Sequence, residues 1–199
     1  MFDLTHLNEN GDAHMVDISG KASTERTAIA SGVINMSLKA IGILADNTAE
    51  KGDVLGTARI AAIQAAKQTG FLIPLCHPIA LNHIRVDFDI DKDLARVKAT
   101  VTASTEGQTG VEMEALMGVN IALLTIYDMM KAVDKTMIIS QVHLEEKTGG
   151  KSGNFIFTDD YENIDFLFPH NTNSLHGFII VQAVLPDKTY RRPTPFQAV

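Results

Sequence analysis

Tryptophan is absent, cysteine occurs once, and only 6% of the residues are aromatic. A single thiol, Cys76, excludes an intrachain disulfide and agrees with a reducing compartment. With so few large rings, a core must be assembled from Ala, Ile, Leu, Val and Met. Positive charge is also scarce: 17 Lys and Arg stand against 24 Asp and Glu, for a formal net charge of −7. Such a chain is a poor nonspecific binder of nucleic acid or of an anionic membrane. A phosphate ester would have to be held by lysines gathered locally against an acidic background. Charges interrupt the apolar runs well before the roughly 18 residues of a membrane span. The segment from Met1 to Asn8 has neither a basic nor an apolar leader region. Metal motifs are missing as well: Cys76 is the sole thiol, His77 and His83 are six apart, and no His-Glu-x-x-His occurs.

What remains is the composition of an ordinary globular domain, 45% hydrophobic and 21% charged over 199 residues. Residues 1–24 read as an extended polar arm. Alternation predicts a strand over 25–37, and a short helix fits 38–47. Residues 53–69 are Ala-rich, with Val54, Ala58, Ala61 or Ala62, and Ala65 at helical spacing. Asp53 suits the N-cap and Gly70 a C-terminal stop. Small residues predict that this helix packs closely. Residues 84–90 and 95–105 alternate around Asp91-Lys92-Asp93, an antiparallel hairpin. The longest helix is expected over 111–133 and a last strand over 137–147. The expected fold is α+β, a ferredoxin-like split βαβ with an additional helix in the first crossover. Residues 1–157 form the expected domain, and 158–199 a C-terminal extension of unknown structure, including the apolar run 178–185.

Four segments can carry chemistry. Lys51-Gly52-Asp53 precedes a helix N-terminus, where backbone N–H groups attract anions; taken alone, such a lysine is more often simply solvated. Pro74 and Pro78 stiffen Leu75-Cys76-His77, which either positions His77 or is a structural turn around a buried thiol. In the long helix, Glu112 and Glu114 sit in the first turn, favoured by the helix dipole. Asp128 and Lys131 near its end are neighbours, as an exposed ion pair or as an acid/base pair. A partly desolvated lysine among other lysines has its pKa lowered toward neutrality, which would suit Lys131 to proton exchange. Finally, Lys147-Thr148-Gly149-Gly150-Lys151-Ser152-Gly153 can turn ammonium groups and backbone N–H groups toward phosphate. It is not a P-loop, because Glu145 occupies the first glycine position and the residues after Ser152 do not read as a helix. The methionines, Met113, Met117, Met129, Met130 and Met137, read as core filler.

These segments occur in one order and spacing in a single family. The runs are Leu4-Thr-His-Leu-Asn8, Ala13-His-Met-Val-Asp-Ile-Ser19, Lys51-Gly-Asp-Val54, Thr57-Ala-Arg-Ile60 and Ile63-Gln-Ala-Ala-Lys67. They continue with Ile73-Pro-Leu-Cys-His-Pro78, Thr109-Gly-Val-Glu-Met-Glu-Ala-Leu116, Ala122-Leu-Leu-Thr-Ile-Tyr-Asp-Met129, Lys131-Ala-Val133 and Gly149-Gly-Lys-Ser-Gly153. Over roughly residues 2–157 the chain resembles the cyclic pyranopterin monophosphate synthases of molybdenum cofactor biosynthesis, the MoaC-type proteins. It departs from them at Met117-Gly118-Val119-Asn120, where Thr-Ala-Ala-Ser is usual, and at Asn154, where Asp is usual.

The resemblance implies a cytoplasmic lyase acting on 3′,8-cyclo-7,8-dihydroguanosine triphosphate, with cyclic pyranopterin monophosphate and pyrophosphate as products. It implies a homohexamer, a trimer of dimers with each active site at a dimer interface. Asp128 becomes the active-site aspartate, with Lys131 and Lys51 as proton-handling lysines. Leu75, Cys76, His77, Met113 and Glu114 become substrate contacts, with Lys51, Lys131, Lys147 and Glu112 in the same pocket; the charge of Lys151 in the glycine loop adds it to Lys147 as a candidate phosphate contact. No redox cofactor and no resident metal are required; Mg²⁺ would come with the triphosphate. One competing reading is a different purine nucleotide cyclohydrolase or phosphatase, which would normally want the metal ligands that are scarce here. Another is a nucleotide-sensing ferredoxin-like module, which would not require Lys51, Asp128 and Lys131 to act together. The third is an inactive paralogue, against which the intact set of pocket residues argues.

Overall fold

The structure, a computed structural model, describes residues 10–151 and 153–158. Apart from Thr158, the expected C-terminal extension lies outside the described residues, as does Ser152. The elements run β1 (Thr24–Asn35), α1 (Leu38–Ala45), α2 (Val54–Leu72), β2 (His83–Asp91), β3 (Arg96–Gly107), α3 (Glu112–Met130), β4 (Ile138–Thr148) and β5 (Phe155–Ile156). The sheet order is β2-β3-β1-β4-β5, with every neighbour antiparallel. Two crossovers, α1–α2 from β1 to β2 and α3 from β3 to β4, each skip one strand. This is the split βαβ of an α+β ferredoxin-like fold, with α1 as the extra helix and β5 as a short added edge.

The core faces the helices and is built of small residues. Opposite one another on β1 and β3 stand Ala28 and Ala103, Ala30 and Val101, Gly32 and Ala99, and Ile34 and Val97. The facing helices contribute Ala58 and Ala62 from α2 and Ala115, Val119 and Ala122 from α3, all buried. Ala62, not Ala61, is the inward residue of that pair. With methyl groups on both sides, helix and sheet approach closely, and two glycines mark the contact. A Cβ on Gly32 would lie 2.8 Å from Val142 Cγ2, and 2.9 Å from both Leu123 Cδ1 and Val119 Cγ1. Val142 reaches that spot because β4 shifts register opposite Ser31 and Val33, at a bulge where Gln141 has φ 53°. A Cβ on Gly118 would sit 3.0 Å from Val101 Cγ1 and 3.4 Å from the Ala62 carbonyl oxygen, so α3 touches sheet and α2 at one point.

Three expectations change. Gly70 does not stop α2, which continues to Leu72. A Cβ there would lie 2.7 Å from Pro78 Cα, so Gly70 instead lets the proline loop press on the helix. α3 is not the longest helix, since α2 and α3 both have 19 residues, and it ends at Met130. The chain is drawn out of the helix by Asp134, whose carboxylate accepts from Ser37 N at 2.7 Å, Thr136 N at 2.8 Å and Thr136 Oγ1 at 2.7 Å. Those hydrogen bonds, Thr136's hydroxyl first, hold the Asp134 carboxyl down at about 2. By length and composition alone α3 could also cross a membrane; here it packs on β1, β3, β4 and α2 as the central core helix.

Gly32→Ala is expected to destabilise the fold by about 1–3 kcal/mol, because the new methyl must displace three packed side chains. Urea denaturation measures it, and an unchanged midpoint would contradict this account of the contact.

Candidate active site

The two ends of α3 carry different chemistry. At the N-terminal end Val111 provides no side-chain cap, and Glu112 and Glu114 occupy the first turn. Glu112 reaches across to β4, where Lys147 Nζ lies 3.0 Å from its carboxylate. Glu114 turns inward and is only 3% exposed. Burial pushes its carboxyl up to about 7; its own backbone N–H partly offsets this, and the charge of Glu112 adds to the rise.

Beside Glu114 lies the proline loop. It leaves α2 at Ile73, is closed by Cys76 N donating to the Ile73 carbonyl at 3.1 Å, and is seated against Gly70. The Cys76 thiol is raised by burial and by Glu114, so it stays protonated rather than acting as a nucleophile. His77 Nε2 lies 2.9 Å from the Val16 carbonyl oxygen; because a carbonyl only accepts, Nε2 carries the proton. Leu75, Cys76, His77, Met113 and Glu114 together line a cavity of about 280 Å³.

A second cavity, about 740 Å³, shares Lys21, Thr109, Gly110 and Glu112 with the first and is bounded by Arg26, Lys147 and Lys151. The glycine loop forms one wall. Gly149 and Gly150 have φ of 85° and 81°, and side chains there would collide with the Glu25 carbonyl and the Arg26 guanidinium. Asn154 closes the loop by accepting from Gly149 N at 3.4 Å. Its replacement of the usual Asp therefore keeps an acceptor in place. Asn120 is exposed and donates to the Leu116 carbonyl of its own helix at 2.9 Å.

At the C-terminal end of α3, Asp128 is held between two ammonium groups. Lys131 Nζ lies 2.7 Å from Oδ1, and Lys51 Nζ lies 3.2 Å from Oδ2 and 2.9 Å from the Asp128 carbonyl oxygen. Lys51 is presented by Gly52 (φ 89°) and by the Asp53 cap, which accepts from Gly56 N at 2.8 Å. The Lys131 and Lys51 hydrogen bonds lower the Asp128 pKa. The expected lowering of the Lys131 pKa is reversed: the bond to Asp128 raises it, because a carboxylate, not a third lysine, is its nearest neighbour. All three side chains are about half exposed.

One chain therefore gathers the expected site residues into two groups and keeps the groups apart. Glu114 and Asp128 are 14 positions apart on α3, which at the helical rise is about 21 Å. The sequence reading missed Lys21 and Arg26 as cavity residues. Lys21 stands in the polar arm and Arg26 in a strand, and neither context signals a site. Residues 15–150, which are 136 of 199, match the MoaC family, and the chain belongs to that family, whose members act in molybdenum cofactor biosynthesis.

The Glu114 shift has a stability signature. The unfolded carboxyl ionises near 4.5 and the folded one near 7. The folded state therefore holds an extra proton between those values, and this contribution, full below pH 4.5, is lost as pH rises through 7. Glu114→Gln cannot ionise, so its Tm should gain on the parent by roughly a few degrees between pH 5 and pH 8. A Tm difference that stays flat across that range would show that Glu114 is not desolvated.

Proposed function

Proceeding from membership in the MoaC family, we propose that the chain is a cyclic pyranopterin monophosphate synthase. It is a lyase that converts 3′,8-cyclo-7,8-dihydroguanosine triphosphate to cyclic pyranopterin monophosphate and releases pyrophosphate, in the cytoplasm. The observation that carries the reading is the pair of adjoining cavities, one around a buried carboxyl and one bounded by cations and glycine backbone. In the smaller, Glu114 and His77 hold the guanine-derived part, with Leu75, Cys76 and Met113 around it. In the larger, Lys147, Lys151 and glycine-loop N–H groups take the triphosphate, with Mg²⁺ as its counter-ion.

The remaining group, Lys51, Asp128 and Lys131, is supplied by a second copy. Isologous pairing that sets the C-terminal end of one α3 against the N-terminal end of another completes two sites at once. The full assembly is a homohexamer, a trimer of dimers. Ring opening and closure on the base move protons, which Asp128 accepts and the Lys131 ammonium donates. A sugar hydroxyl then attacks the α-phosphorus. The bond to pyrophosphate breaks, the hydroxyl proton passes to Asp128, and the lysines of the larger cavity neutralise the departing charge.

Incubation of the purified protein with the cyclised triphosphate should yield pterin product and pyrophosphate in equal amounts. Lys131→Ala, Lys51→Ala and Asp128→Ala, each still folded by circular dichroism, should each lower kcat by at least about 100-fold. Binding without release of either product would point to a sensing module or an inactive paralogue. Near-normal turnover by a folded Lys131→Ala variant would remove Lys131 from the chemistry.

A further inference from the structure

The part of the arm that borders the cavities is the short segment Val16–Lys21, and two side chains from the body of the domain hold it. His77 Nε2 donates to the Val16 carbonyl at 2.9 Å. Gln108, in the loop joining β3 to α3, donates from Nε2 to the Lys21 carbonyl at 2.8 Å and the Ser19 carbonyl at 3.4 Å. The segment is also folded upon itself. Lys21 N donates to the Ile18 carbonyl at 2.9 Å, and Asp17 accepts from Ser19 N at 2.9 Å and Ser19 Oγ at 2.7 Å. Val16 and Ile18 wall the smaller cavity, while Lys21 lines both. Of the other two lysines bounding the larger cavity, Lys147 and Lys151, the first is already paired with the Glu112 carboxylate. Lys21 forms no ion pair with any described residue.

We propose that Gln108 is a positioning residue: its carboxamide clamps Ser19–Lys21 across the boundary of the two cavities and so sets Lys21 as a phosphate contact. Gln108 ties the Lys21 end of this segment to the domain through its side chain; the His77 bond lies five residues earlier, at Val16. A carboxamide suits the task because its NH₂ group has two donors, and two carbonyls are presented to it. Freed from the clamp, the Lys21 backbone would sample positions from which its ammonium no longer faces the cavity. The inference rests on the reading of the larger cavity as a polyphosphate site, but not on turnover.

The test is a double-mutant cycle on the full chain, read as affinity for inorganic tripolyphosphate by titration calorimetry. Gln108→Leu keeps the side chain's bulk and removes its donors; Lys21→Met removes the charge. Each single variant should weaken binding about tenfold, as expected when a hydrogen bond to a charged group is lost. The double variant should be no weaker than Lys21→Met alone, because Gln108 acts through Lys21. Gln108→Ser, which is shorter and adds no charge, replaces Gln108→Leu where the latter misfolds. In turnover, Gln108→Leu should raise KM while kcat stays within about twofold, the signature of lost uniform binding. Multiplicative losses in the double variant, an unaffected Gln108→Leu, or a parent that does not bind tripolyphosphate would each overturn the proposal. A coupled cycle in a protein that fails to convert the cyclised triphosphate would uphold the clamp and reject the synthase reading instead.

Discussion

Where α3 crosses the sheet, the place a Cβ of Gly32 would take is already filled by Val119, Leu123 and Val142, and Gly118 brings the same helix against Val101 and Ala62. Interiors of this density deform little, so α3 behaves as a fixed rod. Its position then determines everything that its two ends carry. Glu112 and Glu114 are presented toward the proline loop and the glycine loop, and Asp128 toward Lys51 and Lys131. Because many of the facing core positions are alanine, valine or glycine and none is a large ring, the rod lies close to the sheet.

The same rod places carboxyl groups in opposite environments. Glu114 is buried and lifted to about 7, whereas Asp128 sits half exposed between two ammonium groups that keep it ionised. One carboxyl therefore keeps its proton up to near neutrality while the other is ionised, a division set by surroundings rather than by residue type. Against a net charge of −7, Lys21, Arg26, Lys147 and Lys151 concentrate positive potential around a single cavity.

Much of this was legible in the sequence. Period-two alternation marked β1, β2 and β3, the alanine spacing marked α2, and Asp53 marked its start. The runs around Cys76, Glu112, Asp128 and Gly149 marked segments that line the two cavities or form the Lys51–Asp128–Lys131 cluster. What escaped depends on contacts made between distant segments. Gly70 looked like a helix stop because its partner, Pro78, is known only once the loop folds back. The neighbourhood of Asp128 and Lys131 was legible from their spacing, but the direction of the Lys131 pKa was not: the carboxylate raises it, and the lysine brought closest from a distant segment, Lys51, binds the same Asp128. Gln108 and Lys21 lie 87 positions apart, and no periodicity reports a side chain that grips a distant carbonyl. That one chain holds its site residues as two groups about 21 Å apart is a matter of helix length, visible only when both groups are placed on the same rod.

The most direct test of that geometry is subunit complementation. A His77→Ala chain and an Asp128→Ala chain, each inactive alone, would be co-expressed so that they assemble together. If each site draws one group from each of two chains, half of the random pairs are mixed and each mixed pair holds one intact site. Turnover should then return to about a quarter of the parent's value per chain. Mixed assemblies that form, as judged by differential tags, yet remain inactive would contradict the account.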